Sequence, residues 1–206
     1  MWEYEGKIRA PTALSLGTTL TVSGVVTYLT SEHVRVTFPD SGQGSDGAAR
    51  RAIGEVSIIT SSIGFDTKQA VDVKPVALFR AHPGGMREDH SDALGRASEG
   101  LFLDLASSPE RRVEKVDGQP VPLRTVELAL RNRQLAFSIE FYQRGHGERD
   151  GGRALAEFAK ALESIERHGP EMIKKLELSK SQWDTVMREA QRLRHAPRTG
   201  ETVLPL

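Results

Sequence analysis

The chain has 206 residues, of which 38% are hydrophobic and 27% charged. That is enough for one generous domain or two small ones, and it lies outside the disordered range of composition. Twenty-eight basic residues balance 28 acidic ones, so no global field draws the chain to phosphate backbones or acidic membranes, and nucleic-acid binding requires a local basic patch.

Cysteine is absent, which excludes disulfides, thiol nucleophiles and thiolate metal sites. No run approaches the roughly 18 apolar residues of a membrane span. Lys7 and Arg9 precede the stretch 14–26 in the order of a secretion signal, but its many Thr, Ser and Gly residues break up the apolar core that a signal needs. The expected setting is cytoplasmic.

In chain order, Leu20, Val22, Val26 and Tyr28 alternate with polar residues, with Gly24 between them as a bulge or close backbone approach. Val34, Val36 and Phe38 alternate after Thr30-Ser31-Glu32, and the two runs predict a hairpin. The segment 39–47 is a glycine-rich, mobile insertion. Glu55 to Thr60 and Ala70 to Arg80 are rich in Val and Ile and predict further strands, with Pro75 at an edge or a break.

Residues 81–98 show no period and read as a loop or linker. Alternation resumes at Leu101, Leu103 and Leu105. It is clearest over 125–144, where Val126, Leu128 and Leu130, then Leu135, Phe137, Ile139 and Phe141, alternate with more polar neighbours. A period of two with a short break at Arg131-Asn132-Arg133 predicts an antiparallel hairpin. Helical spacing appears at Leu155, Phe158, Leu162 and Ile165, started near Asp150 and stopped by Gly169-Pro170. A last helix begins near Ser179, carries Trp183, Ala190 and Leu193 on its apolar stripe, and ends at Pro197.

Four groups of residues bear on chemistry. Gly42-Gln43-Gly44-Ser45-Asp46-Gly47 fits G-x-G-x-x-G, a spacing that lets backbone approach a pyrophosphate at a helix N-terminus. The expected helix is too short, and Asp40 and Asp46 repel phosphate, so a flexible loop is the better reading. His82 and His90, with Glu88, Asp89 and Asp92, offer nitrogen and oxygen donors for a divalent ion, though their spacing fits no established ligand pattern. No nucleophile turn of the G-x-S-x-G type is present.

Arg131, Arg133 and Arg144 flank the expected hairpin, and Arg188, Arg192 and Arg194 end the last helix. Together they are the candidate nucleic-acid contacts, through phosphates and a basic ribbon. Cations that merely complement a helix C-terminus are the plainer account of the second group. The segment 178–183, Leu-Ser-Lys-Ser-Gln-Trp, resembles the strand-to-helix junction of single-strand-binding transcriptional coactivators. The likeness is short, consists mostly of capping chemistry, and carries no function across.

The sequence thus predicts an α+β protein. A β-barrel or sandwich occupies 1–80, a linker 81–98, and a β-meander under two C-terminal helices 99–206. The expected function is a non-catalytic interaction protein that binds a protein partner or itself, with no cofactor. The alternatives are a nucleic-acid-binding accessory protein using the arginines, and a metal-dependent hydrolase centred on His82 and His90.

Overall fold

A computed structural model describes residues 1–9, 17–98, 108–118, 121 and 123–166, and the single positions 181, 185 and 188. The strands are β1 (Trp2–Arg9), β2 (Gly17–Val22), β3 (Val25–Thr30), β4 (His33–Phe38), β5 (Asp72–Ala81), β6 (Arg87–Asp89) and β7 (Val113–Gly118). The helices are α1 (Ser45–Thr67), α2 (Asp92–Ser98), α3 (Leu123–Arg131), α4 (Arg133–Gly147) and α5 (Gly151–Glu166). The class is α+β, as expected. The seven strands form one antiparallel sheet in the order β6-β5-β1-β4-β3-β2-β7. That sheet has two free ends and is not closed into the expected barrel.

Alternation dictates the meander. Every second residue of β1 to β4 is buried, including Tyr4, Leu20, Leu29, Val34 and Val36, and the residues between them face outward. The β2–β3 connection is a two-residue turn in which Ser23 and Gly24 both have positive φ (49° and 74°). This is the backbone that a tight hairpin with right-handed twist requires. Gly24 is therefore a turn residue and not a bulge within one strand. The expected β3–β4 hairpin is present. Pro75 lies in the part of β5 beyond the reach of β6, opposite Gly6 at a register shift, where its missing N–H costs no ladder bond on the outer side.

α1 determines the architecture. From Ala52 to Gly64 every residue is buried except the half-buried Ser57. The helix packs on β1, β4 and β5 and is covered by α2, α3 and α4. Its buried hydroxyls turn inward on their own helix: Thr60 Oγ1 donates to the Val56 carbonyl at 2.8 Å and Ser62 Oγ to that of Ile58 at 2.7 Å. Gly44 is the N-cap, and Lys68 (φ 55°) ends the helix in the left-handed conformation. No helix among the described residues is long and apolar enough to cross a membrane.

Several expectations are corrected. Glu55 to Thr60 is not a strand but the centre of α1. Its Val and Ile residues suit a strand by type, and its burial on all sides hides the helical period. Residues 125–144 are not a hairpin but α3 and α4. Asn132 is the N-cap of α4, its side-chain oxygen accepting the backbone N–H of Gln134 and of Leu135, both at 3.1 Å.

The segment 81–98 carries β6 and α2, and α2 packs on α1 and β5. Arg96 of α2 reaches Asp46 in the first turn of α1 at 2.8 Å. The last three residues of the glycine-rich insertion, Ser45 to Gly47, already belong to α1. α5 lies where its stripe places it, packed on α4 in place of a hairpin. Leu101 to Leu105, most of the last helix and the segment 178–180 lie outside the described residues.

One buried ion pair ties the chain back to the sheet. Glu55, 1% exposed on α1, meets Arg111 at 2.5 Å. Just before it, Ser108 N–H donates to the Leu130 carbonyl at 2.9 Å, so the segment leading to β7 is held against both α1 and α3. Burial pushes the Glu55 carboxyl above its ordinary range, and the Arg111 guanidinium pulls against that. Arg111→Ala leaves a carboxyl buried without its cation. Urea unfolding should show a loss of about 3–5 kcal/mol near neutral pH. The deficit should shrink in acid, where Glu55 takes up a proton and the buried charge vanishes. A deficit independent of pH would show that the pair does not carry this charge balance.

Candidate functional site

A cleft of about 550 Å³ opens where α1, α4, α5 and the start of β5 meet, a volume within the range of small-ligand sites. α1 contributes Ile53, Val56, Ser57, Thr60 and Ser61. This spacing of i, i+3, i+4, i+7 and i+8 is one face of a helix. α4 contributes Glu140, Gln143, Arg144 and Gly147, again i, i+3, i+4 and i+7. Tyr4 of β1 and Glu157 of α5 complete the interior, and the exposed Asp72 and Glu148 stand at the rim.

Two glycines permit this approach of helices. A Cβ at Gly64 would stand 2.7 Å from Gln143 Oε1, and one at Gly145 would stand 2.6 Å from the Phe158 ring. The first contact seats α4 on α1, and the second seats α5 on α4. Ser138 Oγ adds a bond to the Ala161 carbonyl at 2.7 Å.

The walls are polar and incompletely paired. Arg144 donates to Glu140 Oε1 at 2.8 Å, and Lys160 to Glu157 Oε1 at 2.5 Å. The second oxygen of each carboxylate is buried and meets no protein hydrogen-bond partner. Gln143, 5% exposed, has both its amide nitrogen and its amide oxygen buried in the same condition. Such groups lose hydration without recovering a hydrogen bond, at about 1–3 kcal/mol each.

Burial lifts the Glu140 carboxyl above the ordinary glutamate range; Arg144 and Ser57 draw it back, and Glu157 adds to the lift. Burial likewise holds the Tyr4 phenol well above its usual range. A cleft that holds a carboxyl raised by burial is a candidate site for a ligand.

The sequence-derived candidates fall elsewhere or take other roles. Arg131 and Arg133 are exposed at the α3–α4 junction, Arg133 lying over the Phe137 ring. Arg144 is eleven residues further on, about 16 Å along α4, and is half-buried in the cleft with Glu140. Arg133 and Arg144 lie on one side of α4 three turns apart, and they differ in exposure and in partner. Arg188 is a helical, exposed position, and Arg192 and Arg194 lie outside the described residues.

His82 and His90 do come together, each with its Nε2 3.4 Å from Glu88 Oε2. Asp89 is taken by Ser91 and Asp92 by Arg96. Among the described residues no three His, Asp or Glu side chains are grouped to hold a metal ion.

The cleft itself was missed. Its signal is the run Glu140, Gln143, Arg144 and Gly147, a polar stripe at helical spacing, which is invisible once the segment is read as a strand. No known protein family, curated protein or solved structure matches this chain.

Glu140 links stability to pH. Its folded-state pKa is raised, so the folded protein holds a proton that the unfolded chain releases, and stability falls as pH rises through the folded value. Glu140→Gln removes this component. Thermal unfolding followed from acid to neutral pH should show a shallower decline in the variant than in the wild type. Parallel curves would mean that the carboxyl is not perturbed.

Proposed function

We propose that this chain is a non-catalytic binding protein and that the cleft between α1, α4 and β5 encloses a small polar molecule. The proposal keeps the cytoplasmic setting and the lack of enzymatic chemistry expected from the sequence. It replaces a macromolecular partner by a small one.

Gln143 is the observation that carries it. A side chain more than nine-tenths buried, with neither amide atom paired, sits in a wall of the cleft beside two half-paired carboxylates. A leucine would fill much the same space without that penalty. A molecule that draws the Gln143 side chain from its contact with Gly64 and pairs its amide recovers the lost hydrogen bonds, which gives the polar residue a use that folding alone does not supply. Its neighbours are placed by helices rather than by loops, which favours a site held in one geometry.

The test is a thermal-shift screen of the full chain against small polyols, amino acids, amines and dicarboxylates. At least one class should raise the Tm of the wild type. Gln143→Leu should abolish that shift while raising the ligand-free Tm by about 2–4 °C, the amount expected for relief of one unpaired amide in a protein of this size. Absence of a shift from every class, or a shift that survives the substitution, would remove the proposal.

A further inference from the structure

The sheet ends in two edges that differ. At one, β6 is three residues long and wholly exposed. The part of β5 beyond it carries Pro75, which has no N–H to offer a new strand. At the other, β7 runs six residues without proline, and among the described residues it pairs with β2 alone. Its outward N–H and C=O groups are a template for a further strand.

Charged side chains usually blunt such an edge, and β7 carries Glu114, Lys115 and Asp117. Their order matters more than their number. Lys115 and Asp117 stand opposite Thr21 and Thr19 on the uncovered side of the sheet, and they reach each other at 2.6 Å. Val116 between them stands opposite the buried Leu20, on the core side, and is half-buried where the hydrophobic core reaches the end of the sheet. Two copies of an edge strand pair antiparallel about a two-fold axis normal to the sheet. Directly opposite side chains then share a face, and the residue before the axis meets the residue after it. With the axis at Val116, Lys115 of each copy meets Asp117 of the other, and the two Val116 side chains meet on the core side. An axis at 114, 115 or 117 sets two like charges face to face instead.

We propose that β7 is a self-association edge, at which two copies of this chain join their sheets antiparallel about Val116 into one continuous sheet. The register shift opposite Thr21 and Val22 skips Glu114, so the regular contact is short and the association is weak and concentration-dependent. The cleft takes no part in it, and the proposal is independent of the ligand reading.

Sedimentation velocity of the full chain from about 5 to 500 μM tests it, a range that spans weak dimers. The sedimentation coefficient should rise with concentration toward that of a dimer, and in hydrogen exchange the amides of β7 should gain protection over the same range. Lys115→Asp and Asp117→Lys, each checked for native circular dichroism, set like charges face to face at both symmetric positions and should weaken the association about tenfold or more. The double swap recreates opposite pairs and should return the association to within about twofold of the wild type. Lys74→Glu, on β5 near the other edge, should leave it unchanged.

A monomer throughout the range would overturn the proposal and leave the edge to solvent or to a foreign strand. Association that both single reversals leave intact would overturn it as well, by placing the contact elsewhere. Association that the single reversals weaken and the double swap does not restore would remove the pairing about Val116, and the proposal with it.

Discussion

The structure depends on one helix being buried on all sides. From Ala52 to Gly64, α1 has no solvent-facing stripe: the sheet lies against it through β1, β4 and β5, and α2, α3 and α4 cover what the sheet leaves open. A helix in this position must answer every polar group it carries. Thr60 and Ser62 do so with carbonyls one turn back, and Glu55 does so through one oxygen, Oε2, with Arg111. That last answer reaches beyond the helix, since it fixes the segment that delivers β7 to the edge of the sheet beside β2. The architecture and the burial of α1 are two statements of the same constraint.

The cleft lies where that coat is thinnest. Ser57 is the half-buried exception in the run, and Ser57, Thr60 and Ser61 face the polar stripe of α4 rather than another apolar surface. Beside it the helices meet closely, with glycine at 64 and 145 letting Gln143 and Phe158 approach. The first contact joins α1 to α4 and the second joins α4 to α5, so α4 sits closely on both neighbours beside the polar cleft. A fold tuned only for stability would place apolar side chains at 140 and 143, so the polar residues there stand apart from the rest of the interface.

The sequence was readable where one face of an element is wet. β2 to β4 alternate because one side of the sheet lacks cover among the described residues, and α5 shows its stripe because it is covered mainly by α4 and most of it stays half-buried. α1 was not readable, because full burial erases the period and Val56, Ile58 and Ile59 belong by type to strands. α3 and α4 misled through particular residues. Leu128 is 47% exposed; remove it from the apolar set and Val126, Ala129 and Leu130 follow a helical spacing. In α4 the buried positions Ala136, Ile139, Glu140 and Gln143 form a helical stripe, with Ser138 and Gly145 also buried against α5, and the pattern is concealed by Phe137 and Phe141, which are only half-buried. The abundance of Ala, Leu, Glu, Arg and Gln in the segment was the available counter-signal. Asn132 favours a hairpin turn and a helix N-cap equally, so it could not arbitrate. Because the cleft is built from α1 and α4, it became visible only when both were known to be helices.

Native-state hydrogen exchange of the backbone amides tests the burial of α1 most directly. Amides of residues 52–64 should exchange only through global unfolding, with an opening free energy equal to that from denaturant titration, while amides of the partly solvated α5 open at lower cost. Amides of 52–64 that open locally, with protection no greater than that of α5, would contradict the account.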